Sequence, residues 1–205
     1  MTVVVGLDRL LAKSLDALIR ENLGNVTIQK IENRLFEKYG LSLTQSIEQF
    51  HKLDAVLREF FGAGADGIEH RVLKSVCEVK LANGQGQILI EDPTLTKIIL
   101  ESFGDEDKKK ILGVLNSEPL IISQVITNCN IPQTSGYRKV NALINDGLLA
   151  PSGHVTAPDG KKVTKYKSIF DNIKIDIIKN KIIITLNLSK KDLDSSSILS
   201  VCTQN

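Results

Sequence analysis

PLIISQVITNCNIPQTSGYRKVNALINDGLLAPSGHVTAPDGKKVTKYKSIF, residues 119–170, is the stretch on which the reading of the whole chain turns. It opens with a short apolar helix over residues 121–127. The chain breaks at residues 128–132, NCNIP, and a second helix runs from Gln133 to Asn145 and stops at Gly147. Strand-like residues follow, interrupted by a turn at Pro158, Asp159 and Gly160. A helix, a break, a second helix and a charged hairpin are the parts needed to hold one helix rigidly against a surface. The spacing therefore predicts a helix-turn-helix followed by a β-wing at residues 155–168.

The second helix has two distinct faces. Gly136, Val140, Leu143, Ile144 and Gly147 recur at helical spacing and can pack on Ile122, Val125 and Ile126 of the first helix. That leaves Gln133, Thr134, Ser135, Arg138, Asn141, Ala142 and Asn145 pointing away, with Lys139 at the margin. A helix that reads the major groove needs this division: an apolar stripe to fix it and donors opposite. Ser135 and Thr134 offer hydroxyls beside a helix N-terminus, which itself favours phosphate. Arg138 can fork onto guanine or two phosphate oxygens, and Asn141, one turn on, can reach a base edge. Tyr137 is expected to pack partly into the core and turn its hydroxyl to the backbone.

In the hairpin the Pro-Asp-Gly turn suits type I geometry with glycine at positive φ. Lys161 and Lys162 stand at its tip, with Lys165 and Lys167 on the returning strand, where lysines can pair with phosphates and release counterions. Edge strands also carry lysines simply to stay soluble. Charge placement favours the phosphate role. The chain's net charge is only +2, yet residues 132–168 hold six Lys/Arg against two Asp/Glu, while residues 1–91 hold eleven against twelve.

IPQTSGYRKVNALINDGLL followed by GHVTAPDGKKVTKYKSIF resembles the winged-helix module of archaeal ArsR-like transcriptional regulators, over roughly residues 93–187. The Ile-Pro-x-x-[Ser/Thr]-x-Tyr-Arg pattern and the Asp-Gly-Leu ending are its most specific parts. The resemblance implies a DNA-binding homodimer with Ser135, Arg138 and the wing lysines as contacts. It does not carry metal sensing, because the metal-responsive members use cysteine pairs or His/Asp clusters. The first eighty residues are similar to the small helical nitrosopumilus output domain of archaeal signalling proteins.

That N-terminal part reads as four helices. Leu7, Leu10, Leu11, Leu15, Leu18 and Ile19 form one stripe that ends at Gly24. Ile28, Ile31, Leu35 and Phe36 form a second that stops at Gly40. Ser42 with Gln45 is a capping box opening a third helix that reaches Phe61, and Asp66 with Glu69 marks the start of a fourth, carrying Val72, Leu73, Val76 and Val79. Residues 83–91 look like a linker, although Ile88, Leu89 and Ile90 could make a strand. Asp92 and Pro93 start a helix to Phe103, and Asp105 caps the next. Two β-like runs divided at Lys179 and Asn180 look like a second hairpin. The predicted organisation is mainly α with a small β wing: a helical domain at 1–82, a linker at 83–91, a winged helix-turn-helix at 92–188 and a loose tail at 189–205.

Several chemistries find no support. Cys77, Cys129 and Cys202 lie far apart, which fits a reducing compartment. His51, His70 and His154 have no metal-ligand spacing. The glycine-rich residues 62–67 lack the lysine and preceding strand of a phosphate loop. Asp105, Glu106 and Asp107 complement a helix dipole more simply than they bind a cation. Cys129 reads as a buried thiol rather than an oxidant sensor. No catalytic constellation, cofactor motif, signal peptide or membrane-length apolar run is present. The expectation is a cytoplasmic, nucleoid-associated, non-enzymatic regulator of double-stranded DNA, with no metal and no cofactor. Its dimer contact would come from the N-terminal helices or residues 92–103, and the N-terminal helices could also bind another protein. The alternative is a winged-helix adaptor that docks a protein and never touches DNA.

Overall fold

The computed structural model describes residues 6–82 and 85–202. In chain order it contains α1 (Gly6–Tyr39), α2 (Leu43–Ile47), α3 (Phe50–Phe61), α4 (Gly64–Val76), β1 (Cys77–Ala82) and β2 (Gln85–Ile90). Next come α5 (Pro93–Gly104), α6 (Glu106–Ser117), β3 (Leu120–Ile121), α7 (Ile122–Asn128) and α8 (Gln133–Asn145). Strands β4 (Leu149–Thr156), β5 (Lys162–Ser168), β6 (Asn172–Ile178) and β7 (Lys181–Ser189) follow, with α9 (Lys190–Asp194) and α10 (Ser197–Cys202) last. The protein is mainly helical, with two small antiparallel sheets ordered β1-β2-β7-β6 and β3-β5-β4.

Local chemistry accounts for most element starts. Ser42 and Gln45 make the reciprocal capping box at α2. Asp92 accepts the Leu95 N–H at 2.8 Å ahead of Pro93, and Asp105 accepts the N–H groups of Asp107 and Lys108, each at 3.0 Å. Lys179 and Asn180 both take positive φ, 50° and 66°, which is the two-residue turn that matches the twist of the β6–β7 hairpin. At Gly24 the backbone leaves helical geometry (φ 71°, ψ 157°), so α1 is kinked where the sequence predicts two helices.

Six expectations are corrected. Residues 85–90, read as linker, form β2 inside the four-stranded sheet; residues 83–84 lie outside the described residues. Ile88 pairs with Leu186 and Ile90 with Ile184, partners almost a hundred residues away. Val79, read as helical, lies in β1 beside them. Within the predicted loose tail, Lys190–Asp194 form α9 and Ser197–Cys202 form α10. The Asp8 carboxylate, 1% exposed, anchors them by accepting the Ser197 N–H at 2.8 Å and the Ser197 hydroxyl at 2.7 Å, together with the Ser196 hydroxyl. The third predicted helix breaks at Gln49, and the Phe50 N–H donates to Ser197 Oγ at 3.0 Å. Finally, α4 starts at Gly64, before Asp66, because the Asp66 carboxylate is held by Arg58 instead of capping. Phe36 is exposed, while its predicted stripe partners Ile28, Ile31 and Leu35 are buried.

The two halves share one core. A Cβ on Gly147 (φ +78°) would lie 2.4 Å from the Leu10 backbone nitrogen, and one on Gly6 would lie 3.0 Å from the Gly147 carbonyl oxygen. Ser14 Oγ donates to the Asp92 carboxylate at 2.7 Å, and Arg9 donates to the Ile144 carbonyl at 3.3 Å. Helix α1 is thus fastened to the C-terminal end of α8. None of the helices among the described residues is long and apolar enough to cross a membrane.

Candidate nucleic-acid interface

Helix α8 is set by a tight turn and a close helix crossing. After α7 the chain turns through Asn130 at φ 52°, a left-handed conformation that asparagine tolerates. The Ile131 N–H returns to the Ile126 carbonyl at 3.2 Å. Gly136 then lets α8 lie directly on α7, since a Cβ there would fall 2.7 Å from Ile126 Cγ1. Gly136, Val140 and Leu143 are buried on this contact side, as the apolar stripe predicts. Pro132 supplies no capping side chain, so the first-turn amides of α8 carry no side-chain acceptor.

The outward face carries Gln133, Thr134, Arg138 and Asn141 as exposed residues, with Ser135 half-buried. Arg138 makes no hydrogen bond or ion pair among the described residues. Lys139, the other cation expected on this face, differs in that its charge is already paired within the fold. Its ammonium lies 2.6 and 2.8 Å from the two Asp105 oxygens and 2.9 Å from Asp107. Those hydrogen bonds raise the lysine pKa and hold the Asp105 carboxyl below its usual range. Lys139 therefore bolts α8 to the start of α6. The acidic run at residues 105–107 has a partner as well as a dipole to complement.

The β4–β5 hairpin divides its lysines in the same way. Lys161 reaches back to Asp159 at 3.0 Å, keeping that carboxyl ionised. Lys167 is held at 2.6 and 2.7 Å by Asp192 of α9. Lys162 is exposed and Lys165 half-buried, both without partners among the described residues. They leave opposite faces of β5, because successive strand residues alternate. Of the six cations between residues 132 and 168, three therefore have no acidic partner, Arg138, Lys162 and Lys165, and Lys161 has only an exposed local one that a phosphate can replace.

Tyr137 departs from its expected place. It is 39% exposed, and its hydroxyl makes no hydrogen bond among the described residues. With Ser123, Ile126, Thr127, Asn130 and Gln133 it lines an open cleft of about 310 Å³ between α7 and α8. The signal was in the spacing, since 133, 137 and 141 fall on one outward stripe.

Other candidate chemistry is quiet. Cys129 is buried and its thiol is pushed up by burial, which suits packing and not reactivity. Asp54, Asp66 and Glu69 place carboxylate oxygens within 4.8 Å of one another, but the Arg58 guanidinium already bridges the two aspartates. No protein-family model matches the chain, and no curated protein or solved structure is significantly similar to it.

Proposed function

We propose that residues 106–168 are a winged helix-turn-helix that binds duplex DNA, with α8 entering the major groove and the β4–β5 hairpin lying on the flanking phosphates. The order α6–β3–α7–α8–β4–β5 supports this reading, since the second helix of the pair is the one left facing outward. One observation carries it: Arg138 stands exposed and unpaired between Gln133 and Asn141 on that face. Arginine in this position offers a bidentate donor to guanine O6 and N7, and Asn141 offers an amide to an adenine edge. Uncapped amides at the start of α8 add a place for a phosphate.

The three cations without an acidic partner set the scale of the electrostatics. Neutralising about three phosphates per copy corresponds to a slope of roughly −2.7 in log affinity against log salt. Counting all six would double it. Fluorescence anisotropy with mixed-sequence duplexes over a salt series tests the reading. Arg138→Ala should weaken binding and flatten the slope by about 0.9, as should Lys162→Ala, while Lys139→Ala should leave the slope unchanged. A parent protein that fails to bind at low salt, or an Arg138→Ala variant that binds like the parent, overturns it. The cleft beside Tyr137 favours one second reading, a module that docks a peptide side chain there. Under that reading Tyr137→Ala abolishes partner binding and DNA has no effect.

A further inference from the structure

Strand β6 is an edge of the four-stranded sheet, pairing with β7 on one side only. Its register with β7 runs without a bulge from Asn172 to Ile178, so its outer rail of N–H and C=O groups is continuous. Natural edges are usually blunted by proline, a bulge, charged side chains or a covering element, and β6 has only the charges of Lys174 and Asp176, which are of opposite sign. It has neither proline nor bulge, and it exposes Ile175 (39%), Ile177 (74%) and Ile178 (54%).

The sequence of β6 is complementary to itself. Ile173-Lys174-Ile175-Asp176-Ile177 reads the same reversed once Lys and Asp are exchanged. When two such strands meet antiparallel about Ile175, Lys174 of each lies opposite Asp176 of the other. The same register sets Ile175 against its own copy and Ile173 against Ile177. One face then carries three isoleucine pairs, and the other carries two opposite-charge pairs flanked by Asn172 against Ile178 at each end. Centring the pair on Lys174 or Asp176 places like charges opposite, and a one-residue slip turns the isoleucines onto the charged face. In the single chain Lys174 and Asp176 satisfy each other at 2.9 Å, an exposed neighbour contact that a cross-strand pair can replace.

We propose that β6 is the dimerisation edge of this protein: two copies pair antiparallel about Ile175 and join their sheets into one of eight strands. The pairing is isologous and closes on itself, so it ends at two copies. The opposite edge, β1, repeats the charge spacing at Glu78 and Lys80, but Val79 at its centre is half-buried where Ile175 is exposed. The proposal rests on β6 alone and holds whether or not the protein binds DNA. It also extends the DNA reading, because a two-fold dimer presents two copies of α8 to a palindromic site.

Light-scattering mass of the full chain, measured without DNA at micromolar concentrations, is the test. The parent should give twice the 22.6 kDa chain mass. Lys174→Asp and Asp176→Lys each set like charges across the pair and should weaken association at least about tenfold. Mixing those two variants should restore the double mass, and so should Lys174→Asp/Asp176→Lys in one chain. These restorations separate a lost interface from a lost fold. A parent that is monomeric throughout, single variants that still dimerise, or a mixture that stays monomeric overturns the proposal. So does a Glu78→Lys variant that dissociates while Asp176→Lys does not.

Discussion

Replacing Glu69 by glutamine should remove a loss of stability that the parent suffers as pH rises from 4.5 to 8. Glu69 is 4% exposed, and its Oε1 has no hydrogen-bond partner. Burial, with the Asp54 charge beside it, pushes its pKa from 4.5 up to about 8. The folded state therefore prefers the neutral carboxyl. Its contribution is fully present below 4.5, declines as the unfolded chain ionises, and is gone once pH passes about 8. A dry, isolated group with that shift would cost roughly 5 kcal/mol. Arg58 and solvent at the two aspartates screen the site, so about 2 kcal/mol is the better figure. Urea melts of parent and Glu69→Gln, below pH 4.5, midway and above 8, give a difference curve free of the other carboxylates. The two should converge at low pH, and the glutamine variant should be ahead by about 2 kcal/mol at high pH. Parallel curves, or a parent that gains on the variant as pH rises, would refute the reasoning.

Lys139→Ala should lower stability by about 1 kcal/mol while leaving duplex affinity intact, the reverse of Arg138→Ala; urea melts beside anisotropy check both. The Lys139 contribution should also fade in acid. The folded Asp105 pKa is lowered, so its stabilisation is present above the ordinary value of 3.8 and lost as pH falls through the folded one. Asp8→Ala removes the acceptor for Ser196 and Ser197 and should cost about 2–3 kcal/mol, with limited proteolysis cutting first near residue 196. Gly147→Ala meets Leu10 backbone at positive φ and should cost more than about 3 kcal/mol in a thermal melt. Gly136→Ala, whose Cβ meets Cγ1, Cδ1 and Cγ2 of the buried, β-branched Ile126, should cost about 1–3 kcal/mol.

What the sequence made legible depends on how far apart the interacting residues lie. Caps at Ser42, Asp92 and Asp105 bind amides two or three residues ahead, and each was readable. The limits of α8 were readable for the same reason, since its stripe and its stop at Gly147 are local. The buried strand β2 was obscured because its six residues include only a three-residue apolar run and owe their conformation to β7. The C-terminal helices were obscured because their anchor is a carboxylate 188 residues away, and a serine-rich stretch looks loose when its acceptor is out of view.

The same distinction governs the candidate site. Which residues of α8 face outward follows from helical period, and Gln133, Arg138 and Asn141 were placed by it. Which cations are available does not follow from period at all. Lys139 and Arg138 are neighbours in sequence, and only the arrival of Asp105 and Asp107 across the fold separates a fastener from a free donor. Lys167 is separated from Lys165 in the same way, by Asp192. Two tertiary ion pairs, with the local Lys161–Asp159 pair of the turn, thus leave three of the six cations of the apparent basic patch without an acidic partner. They also tie that patch to the rest of the chain. Lys139 joins α8 to α6, Arg9 joins its C-terminal end to α1, and Lys167 joins the hairpin to α9. Helix α1 therefore packs directly against the end of the helix that carries Arg138, so the fold sets the position of that helix at its C-terminal end as well as at Lys139.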